Sequence, residues 1–118
     1  MHPKKSIPMK VETKGHTTTI KDTQGDLTVF LMKLTHEFKT FEKYNIIVDL
    51  SRYDALSPKE VKTFLPLSKA HKKAKKSFVI VADGADFHQV PDAMTVVPTT
   101  LEAHDIIEME EIERDLGF

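Results

Sequence analysis

Two short runs of apolar, mostly β-branched residues constrain the fold of this chain more than any other feature. They are residues 46–50 (Ile-Ile-Val-Asp-Leu) and residues 78–82 (Phe-Val-Ile-Val-Ala). Runs of this length and composition are typical of strands buried on both faces of a parallel sheet. Because a helix-like segment separates them, we expect the two strands to run parallel through a right-handed crossover. The runs therefore predict an α/β fold in which helices cover at least one face of the sheet.

The residues ahead of these runs predict an N-terminal β-hairpin. Alternation places three residues on one face of a first strand: Met9, Val11 and Thr13. Lys14-Gly15 allows a tight turn, after which the alternation resumes at Thr18. Residues 1–8 hold two prolines and no periodicity. We therefore expect a disordered N-terminus at residues 1–8 and one α/β domain over residues 9–118.

Two amphipathic segments predict helices on either side of the first apolar run. The first follows Asp26, a good N-cap, and its apolar face consists of Leu27, Leu31, Leu34, Phe38 and Phe41. In the second, Ser57 and Glu60 form a capping-box pattern, and Pro66 is expected to kink the helix early. The apolar side of this second helix consists of Val61, Phe64, Leu65, Leu67, Ala70 and Ala74.

A last strand and a last helix complete the predicted order. Thr95–Val97 is a short strand, Thr99 and Glu102 repeat the capping-box pattern, and the final helix extends to Leu116 with Gly117 as its stop. The full expectation is a hairpin followed by alternating helices and parallel strands in a mixed sheet, ending in a C-terminal helix.

The composition of the chain bears on the cellular compartment in which the protein is expected. The chain contains no cysteine, which fits a reducing environment. No apolar run approaches the roughly 20 residues needed to span a bilayer, and residues 1–9 lack the apolar centre of a secretory signal. We therefore expect a cytoplasmic protein that makes no membrane contact.

The polar residues form none of the patterns that mark a catalytic or cofactor site. The six histidines show no His-x-His, His-x-x-x-His or His-Glu-x-x-His spacing, so no metal is expected. The chain has no Gly-x-Ser-x-Gly motif and only four glycines, which argues against a serine nucleophile and a phosphate-binding loop. Asp49 ends a predicted parallel strand, where open sheets bind ligands, but capping of the following loop is the preferred interpretation. We predict a protein that is not an enzyme and takes no cofactor.

Basic residues cluster near the end of the second predicted helix. They are Lys69, Lys72, Lys73, Lys75 and Lys76. No aromatic residues are interleaved with them, and the formal net charge of the chain is -1. A solvated helix face is therefore preferred over contact with RNA or anionic lipid, and nucleic acid is not expected as a partner.

The C-terminal helix is the strongest candidate for partner contact. Its apolar residues spread over more than one helical stripe, whereas a helix docked on a sheet needs one stripe. The surplus predicts contact with an unidentified partner protein or with a second copy of the chain, so a monomer and a homodimer are both open. The candidate partner-binding residues are Ile106, Ile107, Met109, Ile112, Leu116 and Phe118.

Residues 47–57 and 97–103 resemble the STAS family, to which the bacterial anti-sigma factor antagonists belong. The first segment, Ile-Val-Asp-Leu-Ser-Arg-Tyr-Asp-Ala-Leu-Ser, is similar to the family's buried strand, its Asp-Leu pair and the loop into the next helix. The second, Val-Pro-Thr-Thr-Leu-Glu-Ala, is similar to the closing strand and last helix. The resemblance extends over residues 9–107, and it implies a regulatory module that binds other proteins.

The resemblance also directs attention to Ser57. The family has a serine at the N-terminus of this helix that a partner kinase phosphorylates. Where the family typically has Asp-Ser-Ser-Gly, this chain has Ser57-Pro58-Lys59-Glu60, so the phosphorylated position falls on Pro58. Ser57 is the nearest hydroxyl and becomes the candidate phosphorylation site, since a phosphate there would meet the positive end of the helix dipole. A plain N-cap explains the same residue and is the preferred interpretation.

The ending of the chain is also similar to that of short chains that carry the name ribonuclease Z. True members of that nuclease family resemble metallo-β-lactamases and hold two zinc ions with a His-x-His-x-Asp-His cluster, which this sequence lacks. The similarity leaves an alternative function as an accessory to RNA processing. In that alternative, residues 69–76 contact RNA or the C-terminus contacts a nuclease.

Overall fold

The computed structural model describes residues 9–23, 25–54, 56–83 and 89–117. The strands are β1 (Met9–Lys14), β2 (Thr17–Asp22), β3 (Asn45–Asp49), β4 (Phe78–Val81) and β5 (Thr95–Val97). The helices are α1 (Leu27–Glu37), α2 (Pro58–Lys62), α3 (Leu65–Lys73) and α4 (Thr100–Asp115), and a 3₁₀ turn at Phe38–Phe41 extends α1. The predicted disordered segment, residues 1–8, lies outside the described residues.

The five strands form one mixed sheet in the order β1-β2-β3-β4-β5. β1 and β2 form the antiparallel hairpin, which turns at Gly15 with a φ of 61°, and the other neighbouring strands are parallel. The two apolar runs lie side by side, with Ile46 opposite Phe78 and Val48 opposite Ile80. The predicted α/β class, the hairpin and the parallel strands are confirmed.

Side chains from the two faces of the sheet form two separate apolar clusters. On one face, alternate residues of β3 and β4 pack with α1, α2 and α3, where the Phe30 and Phe64 rings lie 6.2 Å apart. The cluster on the other face consists of Ile47, Val79, Val81, Val97, Ala103 and Ile107. Because successive side chains of a strand point to opposite faces, β3 and β4 are buried along their whole length. Within the described chain, α4 is the one helix that contributes to the second cluster.

The second predicted helix is divided into α2 and α3. Its capping box is confirmed: Ser57 Oγ accepts a hydrogen bond from the Glu60 N–H at 3.2 Å, and Glu60 Oε1 accepts one from the Ser57 N–H at 2.9 Å. Pro66 lies in the first turn of α3, where a missing N–H does no harm. The expected kink is therefore a complete break between two helices.

The prediction that Ala70 and Ala74 face the core is wrong. Both alanines are exposed, and Ser68 and His71 are buried instead. At 3.6 residues per turn, Ser68 and His71 lie within about 40° of the buried Phe64 around the helix axis, whereas Ala70 and Ala74 lie about 120° and about 80° away. Each finds a hydrogen-bond partner, so burial of their polar groups is compensated.

α4 begins and ends where the sequence predicts. Thr99 is its N-cap, with Oγ1 accepting a hydrogen bond from the Glu102 N–H at 3.1 Å. Gly117 follows its last turn with a φ of 85°, a left-handed conformation that glycine adopts without strain. In the described parts of the chain, no helix combines the length and the apolar character that crossing a bilayer requires.

His71 is a buried titratable residue on the side of α3 that faces the core. Its Nε2 lies 2.6 Å from the Tyr44 carbonyl oxygen, and its ring packs against Phe38 and Phe78 at centroid distances of 5.2 and 6.2 Å. Burial lowers the pKa of His71 below its usual value of 6.5, and the hydrogen bond to Tyr44 opposes this effect only in part. Neutral His71 is therefore the form that fits the core.

This burial predicts a pH-dependent stability. At a pH below the unfolded-state pKa, this histidine binds a proton in the unfolded chain but stays neutral in the folded protein. The free energy of unfolding therefore falls as the pH drops below about 6.5. We expect urea denaturation to show a smaller loss between about pH 7.5 and about pH 5.5 for His71→Gln than for the wild type. His104→Gln, at a half-buried position on α4, is the control and should keep the wild-type loss. Equal losses in all three proteins would show that His71 does not titrate in this way.

Candidate functional site: the outer face of the C-terminal helix

The inner face of α4 is attached to the sheet by apolar packing. Ala103 is fully buried and Ile107 is 3% exposed, and both pack in the cluster formed by Ile47, Val79 and Val81. One α-helical turn separates the two residues of α4, so they lie on the same face of the helix. This packing determines which side of α4 faces the sheet.

A partly buried polar network attaches the C-terminal half of α4. Asn45 Nδ2 donates to Glu111 Oε2 at 2.8 Å, while Asn45 Oδ1 accepts from the Ser77 N–H at 2.9 Å and from Arg114 Nη2 at 3.2 Å. Ser77 Oγ donates to Glu110 Oε1 at 2.5 Å and accepts from Arg114 Nη1 at 3.2 Å. Asn45 is the first residue of β3, Ser77 directly precedes β4, and both are buried. Since buried polar groups need partners, the network holds α4 against rotation.

Four large apolar side chains of the C-terminal helix are left exposed on the opposite side. They are Leu101, Met109, Ile112 and Leu116, with exposed fractions of 73, 62, 56 and 65%. At 3.6 residues per turn they fall within an arc of about 80°, centred about 180° from Ala103 and Ile107. We call these four residues the outer stripe. Its position means that α4 has two apolar sides, of which the sheet covers one.

Acidic residues border the outer stripe. The exposed charged residues of α4 are all acidic: Glu102, Asp105, Glu108, Glu113 and Asp115. Arg114 is turned to the sheet side, where it joins the polar network. The exposed side of α4 therefore combines apolar contact area with negative charge.

The structure divides the predicted partner-binding residues. Met109, Ile112 and Leu116 belong to the outer stripe. Ile107 belongs to the core, so its prediction as a surface contact is wrong, and Ile106 is half-buried against the same cluster. The reason is the helical period, which aligns residues 103 and 107 with the sheet and residues 109, 112 and 116 with the opposite side. Phe118 lies outside the described residues.

Ser57 is exposed at the start of α2. Besides its capping bonds, Ser57 Oγ lies 3.1 Å from Glu60 Oε1. A carboxylate at this distance would repel a phosphate attached to the same oxygen. The N-cap interpretation is confirmed, and phosphorylation of Ser57 stays a prediction.

Asp49 caps the loop after β3, as preferred from the sequence. Its Oδ1 accepts a hydrogen bond from the Ser51 N–H at 2.9 Å. The side chain is 8% exposed and borders a cavity of about 300 Å³ together with Lys21 and His104. Among the described residues, no three His, Asp or Glu side chains are grouped so that they could hold a metal ion.

The lysine cluster does not form one continuous charged surface. Lys69, Lys73 and Lys75 are exposed. Lys72, by contrast, is half-buried and donates to the Ala93 carbonyl oxygen and to Thr95 Oγ1. The ammonium group of Lys72 is therefore engaged within the fold.

Comparisons with known proteins do not assign the chain to a family. A search against models of protein families gives no match, and a search of curated proteins gives none either.

The polar network predicts that Asn45, which is itself buried, is a key residue for docking α4. Replacing Asn45 with alanine leaves the Ser77 N–H and the Arg114 guanidinium without their shared acceptor, and an unsatisfied buried group costs about 1–3 kcal/mol. We expect Asn45→Ala to lower the free energy of unfolding by about 2–3 kcal/mol in urea denaturation. Lys43→Ala, at an exposed position two residues earlier, is the control and should change it by less than about 0.5 kcal/mol. A loss below about 0.5 kcal/mol for Asn45→Ala would mean that the network does not stabilise the fold.

Proposed function

We propose that this protein is a non-enzymatic, cytoplasmic protein-binding module of STAS-like type, and that the outer stripe of α4 binds an amphipathic, basic segment of a partner protein. The observation that carries the proposal is the outer stripe itself, four exposed apolar side chains on the side of α4 opposite its packed face. A helix that only covers a sheet needs one apolar side. The second side is explained by a partner that covers it.

The charge around the outer stripe supports a basic partner. Five exposed acidic residues border or flank the stripe. A second copy of the chain that presented the same face would bring these carboxylates against each other, which disfavours a symmetric α4–α4 dimer. A segment with apolar side chains flanked by lysine or arginine matches both the apolar area and the charge. Helix-in-groove and helix-on-helix recognition use this kind of complementarity.

The observed order of elements supports the resemblance to the STAS family. The hairpin, the helices that join β2 to β3 and β3 to β4, and the helix that closes the domain occur in the order expected for that family, whereas the segment between β4 and β5 is short for the helix that the family has there. The resemblance implies a role in binding regulatory partners. At Ser57, however, the neighbouring Glu60 carboxylate disfavours an added phosphate. The proposal therefore assigns partner binding to α4 rather than to a phosphoserine switch.

The alternative role as an RNA-binding accessory has weaker support. The ammonium group of Lys72 is engaged with Ala93 and Thr95, so it is less available to a phosphate backbone than the exposed Lys69 and Lys73. Non-specific RNA binding depends on the number of free cationic contacts. The partner that binds α4 can itself be a nuclease, because the proposal specifies only the chemistry of the partner's binding segment.

Binding of a defined peptide tests the proposal. The probe is a fluorescently labelled helical peptide with leucines on one face and lysines or arginines on both sides of that face. We expect the double variant Met109→Gln/Ile112→Gln to weaken its binding by about tenfold or more in fluorescence anisotropy, because two apolar contacts are removed. The matched control is Val29→Gln/Met32→Gln, which changes two exposed apolar residues on α1 and should leave the affinity unchanged.

A second peptide separates specific from purely electrostatic binding. It has the same composition in scrambled order, so that its charge is equal but its apolar face is lost. The proposal requires weaker binding of this scrambled peptide. Equal affinities for the two peptides, or equal losses in the α4 and α1 double variants, would rule out the outer stripe as the binding surface.

A further inference from the structure

The outer side of β1 is an edge of the sheet. β1 stands first in the strand order, and β2 is the one strand of the described chain that pairs with it. All residues of β1 after Met9 are exposed. The edge of a sheet presents backbone N–H and C=O groups that can pair with a further strand. This edge is therefore a surface to which another chain can add.

The pairing of β2 shows which backbone groups of β1 point outward. The Asn45 N–H donates to the His16 carbonyl oxygen at 2.8 Å, so the backbone groups of His16 face β3. These groups alternate in direction along a strand, so those of every second residue from Thr17 face β1 and bond to their partners there. The residues of β1 whose N–H and C=O groups point away from the sheet are consequently Met9, Val11 and Thr13.

The side chains of β1 form a different pattern on each face of the sheet. Lys10, Glu12 and Lys14 lie on the face that carries α4, where they border the same cavity as His104. Their charges alternate in sign along the strand. Val11 lies on the opposite face and is 43% exposed. A strand that adds to this edge therefore meets alternating charge on one face and an apolar side chain on the other.

A second copy of the chain can complement this pattern in one register. In a symmetric antiparallel pair centred on Val11, each Val11 lies opposite its counterpart and each Lys10 lies opposite Glu12 of the other copy. The outward N–H and C=O groups of residues 9, 11 and 13 then meet and can all form hydrogen bonds. Opposite charges that face each other across two strands stabilise the pairing.

The neighbouring registers are less favourable. A pair centred on Glu12 places the two Glu12 carboxylates opposite each other and Lys10 opposite Lys14, and a pair centred on Lys10 places two ammonium groups together. Like charges in these positions are destabilising. A pair centred on Thr13 overlaps over only the last three residues of β1. Charge and overlap together therefore favour the register centred on Val11.

We propose that β1 is a self-association edge, through which two copies of this chain join antiparallel about Val11 into one continuous sheet. Charged residues at an edge usually prevent such pairing, whereas the alternating signs here favour one register and penalise the adjacent ones. The two-fold axis is perpendicular to the sheet, so both α4 helices lie on the same side of the joined sheet. The outer stripe takes no part in this contact, and the proposal is therefore independent of the proposed function.

Sedimentation equilibrium of the full chain tests the proposal. A contact made by one strand edge is small, so the complex is expected to be weak and is measured at concentrations up to about 1 mM. We expect the average mass to rise from that of the monomer towards that of the dimer as the concentration increases.

A proline at the centre of the edge should abolish the dimer. Val11→Pro removes an N–H that points away from β2, so the hairpin keeps its hydrogen bonds while the dimer loses its central pair. We expect this variant to stay monomeric over the same concentrations. Val11→Thr, which keeps the N–H and a β-branched side chain, is the matched control and should still dimerise. Circular dichroism verifies that both variants are folded.

Charge substitutions test the register without a change in the backbone. Glu12→Lys places two lysines opposite each other at both ends of the pair, and we expect the dissociation constant to rise by about tenfold. The swapped variant Lys10→Glu/Glu12→Lys restores opposite charges in the register centred on Val11 but not in registers centred on residue 10 or 12. We expect it to dimerise nearly as well as the wild type.

Three outcomes would overturn the proposal. The first is a monomer mass for the wild type at every concentration, which would leave the edge to a strand of another protein. The second is a dimer that Val11→Pro does not weaken. The third is a swapped variant that dimerises as weakly as Glu12→Lys, because the charges would then not face each other as proposed.

Discussion

Every residue of β3 and β4 is buried, although the side chains of each strand alternate between the two faces of the sheet. Both faces must therefore be covered by other parts of the chain. On one face α1, α2 and α3 share this task, whereas in the described chain α4 provides the helical cover of the other face. The orientation of α4 is thus determined by the need to bury Ile47, Val79 and Val81, and the rest of its surface follows from that orientation.

The outer stripe follows from this constraint together with the polar network at the start of the strands. Ala103 and Ile107 dock one side of α4, and Asn45, Ser77 and Arg114 prevent the helix from turning. With rotation excluded, the four residues of the outer stripe cannot reach the core. They stay on the solvent side beside acidic residues, and this combination of apolar area and charge is the basis for proposing a basic partner segment.

Local sequence patterns predicted the strands, helices and N-caps. The buried polar contacts and the side of α4 that faces the sheet depend on residues that are distant in the chain. The strands at residues 46–50 and 78–82, and the N-caps Asp26, Ser57 and Thr99, depend on neighbouring residues and were predictable. The polar network was not, since Asn45 and Arg114 are 69 residues apart in the chain. Burial of His71 depends on the distant Tyr44 carbonyl, and assignment of Ile107 to the core depends on which side of α4 meets the sheet. An asparagine at the start of a buried strand and a single arginine among acidic helix residues were the only local signals of the network.

The central claim is that α4 is held firmly by its inner side while its outer side stays free, and amide hydrogen exchange of the free protein tests it most directly. If the packing and the network hold the helix, the amides of residues 103–107 exchange as slowly as those of β3 and β4, through unfolding of the whole domain. If those amides exchange like an unfolded segment while β3 and β4 remain protected, α4 is not docked in the free protein, and the account of its two sides is contradicted.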